Sequence, residues 1–336
     1  MRAVALTLSL AVVLTTAILF AQKPAAPPPP VEDAATIKVD VDLVNVLFSV
    51  RDKRNGLIAN LTKDDFTIFE DGKQQDIKFF SRETDLPLTI GLLIDISASQ
   101  QNLIAIEQNA ASQFFSQVLR PKDLAFLISF GPDAELLQDY TNSAKLLRAG
   151  LKDLKVDTDS SYAAMHPGPV PTIYNPRGTV LYDAVYLAAA DQLKGQVGRK
   201  ALVLITDGED QGSRYKIEQA IAAAQKADAI IYSIYYVDRM FYARGTGGFG
   251  LGVSDGALRR MSDDTGGRVY RVNEKNNTLM DIFKQLQEEM RSQYVIGYSP
   301  SNSVKDGKFR KLDIHASNKD YKVQARKGYF ATAHSE

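Results

Sequence analysis

An uncharged and mostly apolar run, Leu88–Ile94, constrains the fold of this chain more than any other feature. A run of this length and composition is typical of a strand that is buried on both faces of a sheet. Asp95, Ser97 and Ser99 follow it directly, so a carboxylate and two hydroxyl groups would emerge where a central strand ends. Because open α/β sheets bind ligands at the carboxyl ends of their strands, we expect a binding site at this edge.

Strand-like runs alternate with helix-like segments between residues 86 and 292. The predicted strands are 88–95, 124–130, 135–140, 200–206, 229–236 and 267–272. The predicted helices are 100–119, 143–153, 180–194, 214–226, 255–263 and 277–292. This alternation predicts an α/β fold in which a mostly parallel, six-stranded sheet is covered by helices on both faces. The turn at residues 131–133 predicts that strand 135–140 is an antiparallel edge strand.

The segments on either side of this region, 37–85 and 293–331, alternate in the manner of β-strands. Each segment contains too few predicted strands to form a stable sheet alone. We therefore predict that the two segments pair into one small β-sandwich, with the α/β domain 86–292 inserted between them. Two separate β appendages that pack on the α/β core are the alternative.

The N-terminal residues have the features of a bacterial export signal. Arg2 precedes an uncharged run of 18 residues, Ala3–Phe20, and the small residue Ala21 follows. We predict a signal peptide at 1–22 and a proline-rich linker at 23–36, and hence an exported, periplasmic or secreted protein. A retained membrane anchor is the alternative, because a run of this length nearly suffices to span a bilayer.

The charge balance and the lack of cysteine exclude several classes of protein. The chain holds 40 basic and 40 acidic residues and no cysteine. A neutral balance without a basic cluster argues against a nucleic-acid partner, and the absence of cysteine excludes a disulfide framework. A membrane contact is expected only if the N-terminal segment is retained as an anchor.

Two further polar positions complete the expected site. Thr179 comes directly before the predicted helix 180–194, and Asp207 directly follows the predicted strand 200–206. Together with the first loop they supply two carboxylates and three hydroxyls, a set of hard oxygen ligands that suits Mg²⁺, Mn²⁺ or Ca²⁺. The alternative is that the hydroxyls cap helix N-termini and that the carboxylates cap nearby amides.

The Asp-x-Ser-x-Ser pattern that begins at Asp95, together with Thr179 and Asp207, resembles the metal-ion-dependent adhesion site of the von Willebrand factor A (VWA) domain family. The order of the predicted strands and helices also resembles the Rossmann-like fold of that family. The resemblance implies that Ser97, Ser99 and Thr179 bind the cation directly, and that Asp95 and Asp207 act largely through water. We expect Mg²⁺, with Mn²⁺ and Ca²⁺ as alternatives. The export signal and the flanking β segments further resemble an acidobacterial-type subgroup of exported VWA proteins.

A cation that is held mainly by neutral hydroxyls keeps most of its charge for a further ligand. We therefore expect its open position to take an Asp or Glu carboxylate from a protein partner. The chain would then be a metal-dependent binding or adhesion module. A structural or assembly module with a vestigial or purely stabilising metal site is the second hypothesis.

An enzyme is the third hypothesis, and we expect no catalytic residues. Ser97 stands where haloacid-dehalogenase-like phosphatases carry a second Asp, and a serine nucleophile would need a nearby base. The histidines are His166, His315 and His334, and none of them lies at a predicted strand end that faces Ser97.

Two long segments, 156–178 and 238–256, are predicted to flank the site as loops. Long loops in compact domains are usually either functional or disordered. The large apolar residues of the second segment are Met240, Phe241, Tyr242 and Phe249. They would suit a lip that docks a partner, and a mobile solvated loop is the alternative. The stretch 245–250 formally matches a dinucleotide fingerprint, but it does not directly follow a strand, so we expect no nucleotide cofactor.

Overall fold

The structure describes five stretches of the chain. The computed structural model describes residues 43–83, 86–156, 178–245, 254–273 and 275–332. The predicted signal peptide and linker lie outside these residues, as do most of segment 156–178 and part of segment 238–256. In the stretches that are described, no helix combines the length and the apolarity that crossing a membrane requires.

The described residues form fourteen strands and seven α-helices. The strands are β1 (Val44–Arg51), β2 (Phe66–Glu70), β3 (Lys73–Gln75), β4 (Ile77–Glu83), β5 (Leu88–Asp95), β6 (Leu124–Phe130), β7 (Ala134–Thr141), β8 (Arg199–Thr206), β9 (Ala229–Tyr235), β10 (Val269–Arg271), β11 (Gln293–Tyr298), β12 (Phe309–Ala316), β13 (Lys322–Ala325) and β14 (Gly328–Phe330). The α-helices are α1 (Ile104–Val118), α2 (Ala144–Lys152), α3 (Leu181–Leu187), α4 (Ile217–Lys226), α5 (Arg239–Gly245), α6 (Gly256–Thr265) and α7 (Leu279–Met290).

The central sheet has six strands in the order β10-β9-β8-β5-β6-β7. All neighbours in it are parallel except β6 and β7, which form an antiparallel pair at one edge. Strand β5 lies in the middle, and every one of its residues is buried. The predicted six-stranded sheet and its antiparallel edge strand are therefore confirmed.

Helices cover both faces of the central sheet, as predicted. Alternate residues of β5 face opposite sides, because side chains alternate along a strand. Leu92 belongs to the core under α1, α2 and α7, whereas Leu93 belongs to the core under α3, α4 and α6. The predicted helix 180–194 is observed as α3, which continues as a π-helical turn at Ala188–Leu193.

Strands from the two flanking segments pair with each other in two four-stranded sheets, β13-β1-β11-β4 and β14-β12-β2-β3. Strand β1 lies between β11 and β13, antiparallel to both. The two sheets share one apolar core, in which the rings of Phe48 and Phe66 are 5.0 Å apart. The predicted β-sandwich of N- and C-terminal segments is therefore present, rather than two separate appendages.

Candidate functional site

The carboxyl ends of β5 and β8 bring two acidic residues together. These strands are parallel neighbours, and their register places Ile94 opposite Ile205. Asp95 and Asp207 consequently lie at the same edge of the sheet, and they are 0% and 1% exposed. The Thr206 hydroxyl, at the end of β8, donates a hydrogen bond of 2.6 Å to Oδ2 of Asp95. The predicted meeting of these two strand ends is therefore observed.

The loop after β5 connects the two carboxylates through the Ser97 amide and the hydroxyls of Ser97 and Ser99. The Ser97 amide donates to Oδ1 of Asp95 over 2.9 Å. The hydroxyl oxygens of Ser97 and Ser99 are 3.0 Å apart, and the Ser99 hydroxyl donates to Oδ2 of Asp207 over 2.6 Å. Hydrogen bonds thus connect Asp95 to the Ser97 amide, the Ser97 hydroxyl to that of Ser99, and the Ser99 hydroxyl to Asp207.

Thr179 reaches this edge of the sheet through its backbone. The Gln211 amide, in the loop after β8, donates to the Thr179 carbonyl over 2.9 Å. A Cβ atom on Gly178 would lie only 2.5 Å from the Gln211 carbonyl oxygen, so the absence of a side chain allows this close approach. Thr179 is buried, but within the described stretches its hydroxyl is not hydrogen-bonded to Asp95, Ser97, Ser99 or Asp207. The structure therefore joins four of the five predicted residues directly and places the fifth at the same edge.

The helix-capping alternative accounts for only part of this arrangement. Ser97 precedes the short 3₁₀ turn Ala98–Gln100, and Val180 precedes α3, but neither end has a side-chain capping hydrogen bond. The carboxylates do accept from nearby amides, since the Glu209 amide donates to Oδ1 of Asp207 over 3.3 Å. The serine and threonine hydroxyls are therefore not used as helix caps, whereas Asp95 and Asp207 do organise their own loops.

Negative charge is concentrated at this edge. Burial raises the pKa of Asp95 to about 7, and the nearby Asp207 carboxylate adds to the rise. Burial, followed by the charge of Asp207, also raises the pKa of Glu209. Among the residues that the structure describes, no Lys or Arg forms an ion pair with Asp95 or Asp207. The site therefore favours a positively charged ligand.

Tyr242 is a member of the site that the sequence interpretation did not identify. Its hydroxyl donates to Oδ2 of Asp207 over 2.9 Å. It is carried by α5, which occupies part of the predicted loop 238–256, so the prediction of an irregular segment was wrong at residues 239–245. Tyr242 was expected to be exposed with its neighbours, but it is half-buried, whereas Met240 and Phe241 are 60% and 39% exposed.

Asp238 explains why a helix forms here. Its Oδ1 accepts from the amides of Met240 and Phe241, which is the hydrogen-bond pattern of an N-terminal helix cap. Its Oδ2 accepts from the Asn102 side chain over 2.5 Å. The segment that carries Tyr242 is thereby connected to the loop that carries the two serines. An Asp before a short helix was the available sequence signal.

The histidines and the remaining predicted positions lie elsewhere. His315 is on β12 in the β-sandwich, where it pairs with Asp313 at 3.3 Å. His166, His334 and Phe249 lie outside the described residues. In the described stretches, no group of three or more His, Cys, Asp and Glu side chains is arranged to hold a metal ion. Any cation at the sheet edge would therefore depend on the hydroxyl groups.

Comparisons with known proteins give similar folds at low sequence identity. No protein-family model matches the chain, and no curated protein matches it. A solved structure of the conserved hypothetical protein BatB from Bacteroides thetaiotaomicron is 18% identical, with a TM-score of 0.42 over 61% of this chain and 100% of that one. The SpRpn10 VWA domain is 15% identical, with a TM-score of 0.39 over 60% of this chain and 95% of that one.

A third similar structure is that of proximal thread matrix protein 1 from the mussel byssus, with a zinc-occupied adhesion-site motif. It is 12% identical, with a TM-score of 0.47 over 66% of this chain and 50% of that one. These likenesses concern the fold alone. In this chain, the fold expected from the VWA resemblance is the fold observed, a mostly parallel six-stranded sheet between two layers of helices.

Proposed function

We propose that this chain is a metal-dependent protein-binding module of the VWA type. In this proposal Ser97, Ser99 and Thr179 bind a divalent cation through their hydroxyls, while Asp95 and Asp207 support it largely through water. The observation that carries the proposal is that the Ser97–Ser99 loop is hydrogen-bonded to both buried carboxylates, Asp95 and Asp207, and holds its two hydroxyls 3.0 Å apart.

The geometry of the serines fits a small, hard cation. Neighbouring oxygen ligands of an octahedral Mg²⁺ lie about 3 Å apart, since each is about 2.1 Å from the metal at right angles to the next. The hydroxyl oxygens of Ser97 and Ser99 are 3.0 Å apart. The Ser99 proton is directed to Asp207, so the Ser97 hydroxyl donates to Ser99 and one lone pair of the Ser99 oxygen is left for a cation. Mg²⁺ is the ion we propose, with Mn²⁺ and Ca²⁺ as alternatives.

The same donor set supports a protein carboxylate as the further ligand. Neutral hydroxyls do not offset the charge of the cation, so an open position would favour an Asp or Glu side chain of a partner. The exposed side chains of Met240 and Phe241 stand on the helix that carries Tyr242, where they would contact such a partner. We propose a binding role rather than an enzymatic one, and an exported location that follows from the N-terminal sequence.

Cation-dependent thermal unfolding of the full chain tests the metal site. After chelation, addition of Mg²⁺ or Mn²⁺ is expected to raise the melting temperature, because a ligand that binds only the folded state stabilises it. Ser97→Ala should lose most of this rise, because it removes one hydroxyl ligand. Ser81→Ala, a half-exposed serine in the β-sandwich, is the matched control and should keep the rise. A rise that is equal in both variants would place the cation elsewhere and contradict the proposal.

Acetate and acetamide test the open position of the cation. With Mn²⁺ loaded, the methyl protons of acetate should relax faster than those of acetamide, and Ser97→Ala should remove the difference. This result requires a carboxylate close to a cation that the serines hold. A cation-dependent rise in melting temperature without acetate binding would instead favour the structural module with a stabilising metal.

A further inference from the structure

Helix α1 carries a buried glutamate on the face that packs against the central sheet. The buried residues of this helix are Ile104, Glu107, Ala110, Ala111, Phe114, Phe115 and Val118. All of them are apolar except Glu107, which is 0% exposed. A charged side chain thus occupies a position in the apolar stripe of an amphipathic helix.

The Glu107 carboxylate has none of the partners that normally accompany a buried charge. Neither of its oxygens has a hydrogen-bond partner among the described residues. Buried charges in proteins are usually paired or bound to metal, because removing an ionised carboxylate from water is costly. The helix stripe explains why this position is buried, but it does not explain a carboxylate there.

The charges that Glu107 experiences connect it to the candidate site. Its pKa is raised well above the ordinary value, first by burial and then by the charges of Asp95 and Asp207. No basic side chain contributes to this shift. Glu107 stands in the first turn of α1, the helix that follows the loop of Ser97 and Ser99, and it is fully buried there. Of these three buried acids, only Asp95 and Asp207 accept hydrogen bonds from the loops.

We propose that Glu107 is a third, inner carboxylate of the cation site, whose charge increases cation affinity without touching the cation. This inference rests on the proposed function, because the cation it requires is the one proposed at Ser97 and Ser99. A divalent cation in front of Asp95 and Asp207 supplies the positive charge that the described residues do not bring to Glu107. Because Glu107 is hydrogen-bonded to none of the proposed ligands, it would act on the cation through its charge alone.

Mn²⁺ binding to the full chain, measured by electron paramagnetic resonance of the free ion, tests this role. Glu107→Gln removes the charge and keeps the shape, and it should weaken Mn²⁺ binding by about tenfold. The matched control is Glu70→Gln. Glu70 is also buried but lies in the β-sandwich, where it accepts from the hydroxyls of Tyr298 and Tyr329. This control should bind Mn²⁺ like the parent chain.

Thermal unfolding supplies a second readout that a purely structural role would not produce. Without a cation, Glu107→Gln should melt at or slightly above the parent chain, because the parent must either bury an unpaired carboxylate or keep it protonated, whereas the amide is always neutral. Saturating Mn²⁺ should close or reverse this difference. Glu107→Met, which is apolar and of similar length, should behave alike and serves if the Gln variant does not fold.

The outcomes separate this inference from the proposed function. If the parent chain binds Mn²⁺ and Asp95→Asn abolishes binding, but Glu107→Gln binds as tightly as the parent, the role of Glu107 is wrong and the metal site stands. If the parent chain binds no Mn²⁺ and no Mg²⁺, the proposed function and the role of Glu107 are both overturned.

Discussion

Two regions of the molecule with buried acidic side chains differ in how those side chains are bonded. Glu289 on α7 is 0% exposed, yet both of its oxygens are bonded. Ser49 donates to Oε1 over 3.0 Å, while Arg51 and Tyr270 donate to Oε2 over 2.6 and 2.7 Å. This cluster joins β1 of the β-sandwich to α7 and β10 of the α/β region.

The edge of the central sheet also contains buried carboxylates, but none of those described there is paired with a basic side chain. Asp95 and Asp207 accept only from hydroxyls and amides, and Glu107 has no hydrogen-bond partner in the described part of the chain. A buried acid that has its own arginine contributes to the folded structure. Two buried acids that lie together without one retain the capacity to bind a cation from solution, unlike the single Glu70 of the β-sandwich, which accepts from two tyrosine hydroxyls. The difference suggests that Glu289 serves stability and that the sheet edge serves binding.

The largest effect is expected at Glu289, where the charge is paired. Glu289→Ala removes the acceptor of Arg51, whose side chain is only 12% exposed. Breaking a buried ion pair by removing one partner typically costs about 3–5 kcal/mol. We expect a loss of this size in the free energy of unfolding, measured in urea or guanidinium chloride. The adjacent Glu288 is exposed, so Glu288→Ala should change the free energy by less than about 0.5 kcal/mol. Equal effects of the two substitutions would remove the contrast between the regions.

Removing a charge at the sheet edge should not lower the free energy of unfolding as it does at Glu289. Asp207→Asn removes one of several mutually repelling carboxylates, so the cation-free protein should lose little stability or gain some. The same substitution should abolish stabilisation by Mg²⁺, which is about 2.7 kcal/mol at a hundredfold excess over the dissociation constant. Urea unfolding with and without Mg²⁺ measures both effects. A large loss of stability in chelator would show that Asp207 is a structural group like Glu289.

The sequence was sufficient to locate Asp95 and Asp207, because each directly follows an apolar run that could only be a central strand. Parallel neighbours place their carboxyl ends at one edge, so the meeting of these two residues followed from the strand order. The hydroxyls of Ser97 and Ser99 follow within the same loop. Local sequence and sheet topology agree at this part of the site.

The parts that sequence reasoning missed depend on contacts between distant segments. Tyr242 reaches Asp207 only because Asp238 caps α5 and bonds to Asn102. The segment after Tyr242 is rich in glycine, and this composition favoured a loop. Glu107 was visible as a charged residue at an apolar spacing in α1. A glutamate on a helix is usually assigned to solvent, however, and only the fold shows that it is buried without a hydrogen-bond partner.

The β-sandwich shows a second limit of pattern reading. Strand β1 alternates, but both of its faces are at least partly covered. Val46, Phe48 and Val50 line the sandwich core, whereas Leu47 packs against the core of the α/β region. Alternation alone therefore predicts a strand, but it does not tell which face of β1 packs on the sandwich core and which packs on the α/β region. That information resides in the pairing of β1 with β11 and β13.

The smallest expected effect concerns Tyr242, whose hydroxyl reaches the sheet edge from α5. Tyr242→Phe keeps the ring and removes the hydrogen bond to Asp207, so the cation-free protein should lose about 1 kcal/mol, the usual net value of one hydrogen bond. The Tyr242 hydroxyl also shares Oδ2 of Asp207 with the Ser99 hydroxyl, and the proposal has Asp207 support the cation through water. Removing the Tyr242 hydroxyl should therefore strengthen Mn²⁺ binding by a fewfold, in contrast to the weakening expected for Ser97→Ala.

Tyr321→Phe is a suitable comparison for this last variant, since Tyr321 packs at the border of the sandwich core, away from the sheet edge. It should leave Mn²⁺ binding unchanged. If Tyr242→Phe weakens Mn²⁺ binding as strongly as Ser97→Ala does, the tyrosine hydroxyl is a ligand rather than a competitor. The sheet edge would then obtain a cation ligand from α5, a segment whose sequence predicted only a loop. Cation binding would also stabilise the hydrogen bond between Asn102 and Asp238, because that bond connects α5 to the serine loop.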